Sequence, residues 1–100
     1  MIDWTRIVGF DWDAGNVRKS IEKHDVAQAE AEQVFFNEPL LMVPDIKHSA
    51  GEGRIHALGR TDEGRLLHIT FTLRVNETKL RVISARNMSR KERNYYEHDT

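Results

Sequence analysis

The end of the chain reads Leu80-Arg81-Val82-Ile83-Ser84-Ala85-Arg86-Asn87-Met88-Ser89-Arg90-Lys91-Glu92-Arg93, an apolar segment that runs directly into a basic one. The first half has the pattern of a β-strand, and the second half has that of a helix. Ser89 and Glu92 have the spacing of a capping box, which predicts that the last helix opens at Ser89. Arg86 lies at the junction, where the last side chain of a strand can stand over an open sheet face and bind an anion.

Length and composition predict one soluble globular domain over residues 1–100. Hydrophobic residues make up 39% of the chain and charged residues 31%, which suits a single folded core. No apolar run approaches the roughly 20 residues of a membrane helix, and no secretory signal pattern opens the chain. Cysteine is absent, which excludes disulfides, thiolate catalysis and cysteine-based zinc sites. We therefore expect a cytoplasmic protein without membrane contact.

Charge is unevenly distributed, although the net charge is only −1. Residues 1–50 carry five basic and nine acidic side chains, a balance of −4, whereas residues 51–100 carry ten and seven, a balance of +3. This asymmetry predicts one face for a polyanion and another for a basic partner. The alternative interpretation is a scatter of solvated surface charges.

Residue patterns predict an α+β fold with two N-terminal helices. One helix begins after Asp13 and ends near Lys23, and a second, at residues 27–36, follows a capping-box spacing. A short edge strand is predicted at residues 7–11, and four more strands at 40–43, 54–60, 66–74 and 79–86. The strand at 66–74 alternates apolar and polar residues, which predicts one buried and one solvated face. We expect an antiparallel sheet of about four strands, packed against helices and closed by a C-terminal helix.

Five sequence signatures, in order along residues 10–97, resemble the BrnT family of type II toxins. They are Phe10-Asp11-Trp12-Asp13, Lys23-His24-Asp25-Val26, Asp45-x-x-His48-Ser49-x-Gly51-Glu52, Gly59-Arg60-Thr61, and Val82-Ile83-Ser84-Ala85-Arg86 followed by Arg90-Lys91-Glu92-Arg93. The resemblance implies a RelE-like fold and an endoribonuclease that inhibits translation. It also implies a ribbon-helix-helix antitoxin, BrnA, in a heterotetramer that binds operator DNA.

Two departures from the family pattern concern helix ends. The family often has Gly where this chain has Asp25, and it commonly has a capping Ser or Thr where this chain has Ala27. We expect Asp25 to supply the missing cap of the second helix.

A ribonuclease that works without a metal ion must move a proton from a 2′-hydroxyl, stabilise a phosphorane and protonate the leaving oxygen. Arginine suits the second task because its charged fork can bind two phosphate oxygens. Arg60 and Arg86 end predicted strands, and they can converge on one phosphate if those strands lie close together. The candidates for proton transfer are His48 in a polar loop, and Lys23 and His24 at a helix end. Alternatively, Arg60 is only a solvated residue at the end of its strand, and His24 only stabilises its helix by interacting with the helix dipole.

Further substrate contacts are expected from the basic segment and the last helix. Strand parity places Arg86 on the same face as Leu80 and Val82. One tyrosine of the last helix can stack on an RNA base while its neighbour packs on the sheet. The histidines at 56 and 68 are expected to be solvated or half packed. The predicted substrate-binding residues are Arg54, Arg81, Arg90, Arg93 and Tyr96.

No metal ion or other cofactor is expected. Asp45, His48 and Glu52 are close in sequence, but they lie in a predicted loop without a second carboxylate-rich cluster. The main alternative to a toxin is a non-catalytic module that binds RNA or DNA through its basic residues. A third hypothesis is an inactive toxin paralogue that retains only its antitoxin contacts.

Overall fold

The computed structural model describes residues 4–45 and 53–98, with the side chains of residues 16, 17, 20, 44 and 45 excepted. Its elements in chain order are a 3-10 turn at Trp4–Arg6, β1 (Gly9–Phe10), α1 (Ala14–His24), α2 (Gln28–Val34), β2 (Leu41–Asp45), β3 (Arg54–Arg60), β4 (Leu66–Arg74), β5 (Lys79–Asn87) and α3 (Arg90–His98). The predicted α+β class is confirmed, with three helices and a five-stranded sheet in the described residues. None of the described helices is both long and apolar enough to cross a membrane.

The sheet has five strands in the order β1-β5-β4-β3-β2. Strands β2 to β5 form the predicted antiparallel meander. The predicted edge strand joins them as β1, and it pairs with β5 in parallel. The backbone N–H groups of Val8 and Asp11 donate to the carbonyls of Thr78 and Leu80, which covers the edge of the sheet where β5 begins. The expectation of an antiparallel sheet of about four strands is therefore wrong, and the sheet is mixed.

Strand β4 is buried on both faces, which corrects the prediction of a solvated polar face. Its polar residues His68, Thr70 and Thr72 are only 8%, 7% and 2% exposed. The strand lies in the middle of the sheet, so its flanking strands and α3 shield these side chains from water. The two threonine hydroxyls bond internally: that of Thr72 donates to the Gly53 carbonyl at 2.6 Å, and that of Thr70 bonds Nδ1 of His56 at 2.9 Å.

The main core lies on one face of the sheet, beneath α2. Val34 of α2 packs over β3, where Gly59 is buried. A Cβ atom added at Gly59 would lie 2.7 Å from Cγ1 of Val34, so only glycine allows this approach. The close packing of α2 on β3 thus explains why position 59 is a glycine. The buried apolar residues of this core are Val26, Ala31, Val34, Ala57, Leu67, Ile69, Phe71, Leu80, Val82 and Ala85.

Helix α3 packs in a second, smaller cluster around Leu58, Met88 and Tyr96. The predicted cap at Ser89 is confirmed: its hydroxyl accepts the N–H of Glu92 at 3.2 Å, and its own N–H donates to Glu92 Oε1 at 2.8 Å. The Tyr96 hydroxyl donates to the Pro39 carbonyl at 2.6 Å. These contacts attach the helix to the chain entering β2.

Asp25 ends α1 and does not cap α2, contrary to expectation. Its φ of +54° is left-handed, a conformation that usually follows a helix and favours glycine. The N-cap of α2 is Ala27, whose N–H donates to Oε1 of Glu30 at 3.1 Å. Arg65 joins both helix ends, because its guanidinium donates to the Asp25 carbonyl at 2.7 Å and to Glu30 at 3.1 Å. It also donates to the side chain of Asn87 at 2.8 Å, which ties both helices to the end of β5.

Candidate functional site

A β-bulge in β5 decides which way Arg86 faces. Thr70 of β4 pairs with Ser84, whereas the next residue pairs with Val82, so Ile83 is an extra residue in β5. One extra residue reverses the alternation of side chains beyond it. Arg86, which pairs with His68, therefore lies on the face opposite Val82. The predicted common face of Arg86 with Leu80 and Val82 is wrong.

On this face Arg86 is held by Glu92 of α3. The two carboxylate oxygens accept from Nη1 and Nη2 of Arg86 at 2.8 and 2.9 Å, a bidentate pair. His68 lies beside them, with its Nε2 3.8 Å from Glu92 Oε2. The His56 ring lies beside the His68 ring, with a centroid distance of 4.8 Å and a tilt of 36°, and its Nδ1 bonds the Thr70 hydroxyl at 2.9 Å. We call His56, His68, Arg86 and Glu92 the sheet-face cluster.

Burial and neighbouring charges shift the pKa values of two members of this cluster, Glu92 and His68. Burial alone would raise the pKa of Glu92, but the hydrogen bonds from Arg86 and the Ser89 N–H lower it to about 2. Burial, reinforced by the charge of Arg86, lowers the pKa of His68 to about 4. Near neutral pH the carboxylate is therefore ionised and the His68 ring is neutral. Within the described residues, no group bonds the buried Nδ1 of His68.

A cavity of about 350 Å³ opens beside the cluster, between α3 and the strands β2 and β3. Its floor is mainly apolar, and Lys91 and Glu92 bring charge to its α3 side. Two of its lining residues, Val43 and Tyr95, are 51% and 49% exposed. The lining residues are Leu41, Val43, His56, Leu58, His68, Lys91, Glu92 and Tyr95.

Arg60 and Arg86 are not brought to one point. Strand β4 separates β3 from β5, and Arg60 pairs with Leu66 whereas Arg86 pairs with His68. Sheet spacings of about 4.8 Å between strands and 3.4 Å per residue put their backbones roughly 12 Å apart. Arg60 is exposed and lies near Tyr96, whose pKa is raised by burial and drawn the other way by the Arg60 charge.

Two of the predicted substrate contacts are engaged elsewhere. Arg81 donates to Asp13 Oδ2 at 3.0 Å and lies 3.6 Å from Asp11 Oδ2, so it ties β5 to the start of α1. Tyr96 is 4% exposed, which leaves its ring no access to a base, and Tyr95 is the tyrosine that faces the cavity. Of the remaining candidates, Arg90 and Arg93 are exposed on α3, and Arg54 is half-buried at the start of β3.

Of the predicted proton-transfer groups, the structure describes Lys23 and His24, and neither is part of the sheet-face cluster. Lys23 and His24 end α1, and the His24 carbonyl accepts from Arg65 at 3.2 Å. Of the side chains that the structure describes, neither of these lines the cavity. His48 and Glu52 lie outside the described residues. Among those described, no three acidic or histidine side chains form a group that could hold a metal ion.

His56 and His68 are the residues that sequence reasoning missed. Both were expected to be solvated or half packed, which holds for the half-buried His56 but is wrong for His68, which is 8% exposed. The register between β3 and β4 sets the two rings side by side, since His56 pairs with Thr70 and Leu58 pairs with His68. Arg54, His56 and Arg60 lie at alternate positions of one strand, which places them on one face, but the position of His68 beside that face depends on the neighbouring strand.

The comparisons with known proteins agree with this architecture. The sequence model of the ribonuclease toxin BrnT of type II toxin–antitoxin systems matches residues 12–92, a span that includes the whole sheet-face cluster. Among solved structures, the chain is similar to the 1.1 Å crystal structure of the Brucella abortus ribonuclease toxin BrnT. That match has a TM-score of 0.62 at 23% identity and covers 82% of this chain and 97% of the other. Among curated proteins no match was found.

Proposed function

Because the chain belongs to the BrnT family of ribonuclease toxins of type II toxin–antitoxin systems, we propose that it is a metal-independent endoribonuclease that cleaves RNA and inhibits translation. The observation that carries the proposal is the sheet-face cluster, in which a cation, a carboxylate and two histidines adjoin an open cavity. The RelE-like character of the fold and action in the cytoplasm are parts of the same proposal.

Arg86 is the proposed ligand of the scissile phosphate. It uses three of its five N–H groups, two on Glu92 and one on the Asn87 carbonyl. Within the described residues, the edge formed by Nε and the second Nη2 hydrogen remains open, and its side chain is 37% exposed. That edge can donate to two oxygens of one phosphate and stabilise the charge of the phosphorane. Arg60, Arg90, Arg93 and Arg54 contribute longer-range attraction to the RNA backbone.

His56 is the proposed proton-transfer group. Its Nδ1 is held by Thr70, which fixes the ring, and its side chain lines the cavity beside Arg86. The neutral ring of His68 adds no second positive charge beside His56, and an imidazole is the side chain most often used for general acid–base catalysis. Lys23, His24 and His48 stay the alternatives for these transfers.

Cleavage of purified RNA in excess EDTA tests the proposal. We expect activity to persist, to depend on pH near neutrality, and to fall at least about 100-fold in His56→Ala. Loss of cleavage on chelation, with recovery on adding a divalent ion, would overturn the metal-independent mechanism. Wild-type protein that binds RNA but cuts none, in translating cells and in purified reactions, would favour the non-catalytic module.

A type II toxin acts with an antitoxin, and we propose a ribbon-helix-helix dimer that holds two toxin chains and binds operator DNA. Stable interfaces bury about 800 Å² per side, which is about an eighth of the 6498 Å² surface of this chain. A partner of that size would cover part of the basic surface. Copurification with the antitoxin, light scattering and a gel shift at several salt concentrations test this. Tight, salt-dependent operator binding by the toxin alone would contradict it.

A further inference from the structure

We propose that the cavity beside Arg86 is a nucleobase-binding pocket that receives the base next to the scissile phosphate and favours purines. This inference rests on the proposed ribonuclease function, because it names the part of the RNA that the same site recognises. It assigns a binding role to Tyr95 and to the apolar end of β2, neither of which has a place in the cleavage chemistry.

The walls of the cavity suit a flat apolar ligand. Leu41, Val43 and Leu58 supply aliphatic surface from β2 and β3. The volume of about 350 Å³ falls in the lower part of the range of small-ligand sites, roughly 300–1,000 Å³. That size fits a base with its ribose. An exposed aliphatic residue such as Val43, 51% accessible at an edge strand, gains from being covered.

Two rings reach the cavity from different elements, Tyr95 from α3 and His56 from β3. Tyrosine and histidine rings commonly stack on unpaired RNA bases. Tyr95 is 49% exposed, so a large part of its ring is accessible to a ligand. The aliphatic residues Leu41, Val43 and Leu58 offer no hydrogen-bonding groups to the edges of a base, so on that side of the cavity we expect the preference to follow stacking strength. Purines present the larger stacking surface, which is the reason for the expected preference.

Charge at the rim identifies the ligand as a nucleotide and not an apolar peptide. Lys91 lines the cavity, and the open edge of Arg86 lies beside Glu92, which lines it too. A base seated between Tyr95 and His56 would therefore carry its phosphate toward two cations. An apolar peptide would offer no anion to Lys91 or to the open edge of Arg86. The combination of apolar walls and a cationic rim is what a nucleotide requires.

The binding test uses short 2′-O-methyl RNA, which cannot be cleaved at the 2′-hydroxyl, so its readout is independent of activity. Tetranucleotides of A and of U are titrated into the purified toxin and followed by NMR and fluorescence anisotropy. We expect oligo(A) to bind more tightly than oligo(U), with shifts in the methyl signals of Val43 and Leu41. Tyr95→Ala should weaken oligo(A) binding at least about fivefold, and Tyr95→Phe should retain most of it.

Phe36→Ala is the matched control, because Phe36 is an exposed aromatic residue, 78% accessible, that packs against Phe10 on another part of the surface. Unchanged oligo(A) binding by Tyr95→Ala, or an equal loss in Phe36→Ala, would overturn the pocket. Equal binding of oligo(U) would overturn the purine preference. Oligo(A) that binds as expected to a toxin that cuts no unmodified RNA would overturn the ribonuclease function and leave the pocket intact. Circular dichroism checks that each variant is folded.

Discussion

Glu92 binds both terminal nitrogens of Arg86, at 2.8 and 2.9 Å, while its Oε1 also accepts the backbone N–H of Ser89 at 2.8 Å. One carboxylate therefore caps the last helix and orients the guanidinium proposed to bind phosphate. The spacing of Ser89 and Glu92 predicts the cap alone. The structure adds that the direction of Arg86 depends on the first turn of α3.

Replacing Arg86 should abolish toxicity without preventing folding. Arg86→Ala removes the phosphate ligand, and we expect cleavage to fall at least about 100-fold. Arg86→Lys should recover only part of that loss, because an ammonium cannot bind two oxygens as a planar fork does. Growth after induction and RNA cleavage in vitro measure both effects. Arg18→Ala, at an exposed position in α1, is the control and should remain toxic.

Replacing Glu92 should separate positioning from charge. Glu92→Gln retains one oxygen for the Ser89 N–H but loses the ionised bidentate contact with Arg86. We expect the free energy of unfolding to fall by about 1–3 kcal/mol and RNA affinity to change with it, since Arg86 loses its fixed orientation. Chemical denaturation and RNA titration measure the two. Glu63→Gln, in the exposed turn before β4, should change neither. A Glu92→Gln protein with wild-type stability would refute the structural role of the pair.

Stability should fall as pH decreases from about 6.5 to about 4. The pKa of His68 is lowered to about 4 from 6.5, mainly by burial, so below pH 6.5 the unfolded chain binds a proton that the folded chain does not. The folded state then loses up to about 3 kcal/mol across this interval. Denaturant titrations at several pH values measure the slope, and His68→Gln should flatten it. The lowered pKa of Glu92, about 2, adds a further loss between about pH 4.5 and 2.

Arg65 should be among the most sensitive positions outside the cluster. Its guanidinium joins the end of α1, the first turn of α2 and the side chain of Asn87. Arg65→Met keeps the aliphatic stem but leaves Glu30 without its cation, and we expect a loss of about 2–4 kcal/mol in the free energy of unfolding. Arg18→Met provides the matched control. Equal stability of the two variants would show that these contacts contribute nothing net.

Ala27→Ser should stabilise the chain. Ala27 occupies the N-cap of α2 with extended backbone angles, and only the Glu30 half of a capping box is present. A serine hydroxyl can accept the N–H of Glu30, which is worth about 1 kcal/mol at an N-cap. Thermal and chemical denaturation measure the gain. Ala29→Ser, two residues further into the helix, offers no cap and should be neutral or slightly destabilising.

The amino-acid sequence by itself determined which segments form helices and strands, and the ends of some of them. Strands β3 and β4 have the predicted bounds, and the Ser89 cap forms as expected. These features depend on alternation and capping, which involve residues only a few positions apart. The family signatures likewise point to the BrnT toxins, and the match over residues 12–92 confirms it.

Only the tertiary structure decided which side chains meet. The extra residue Ile83 turns Arg86 toward His68, and the central position of β4 buries His68. The pairing of β3 with β4 places the His56 ring beside the His68 ring. Each of these depends on strand order and register. A shift of one residue sends every side chain of a strand to the other face, and the patterns within single strands do not encode it. The candidate site therefore arises from long-range strand pairing, whereas the strands that form it are specified by residues close together in the sequence.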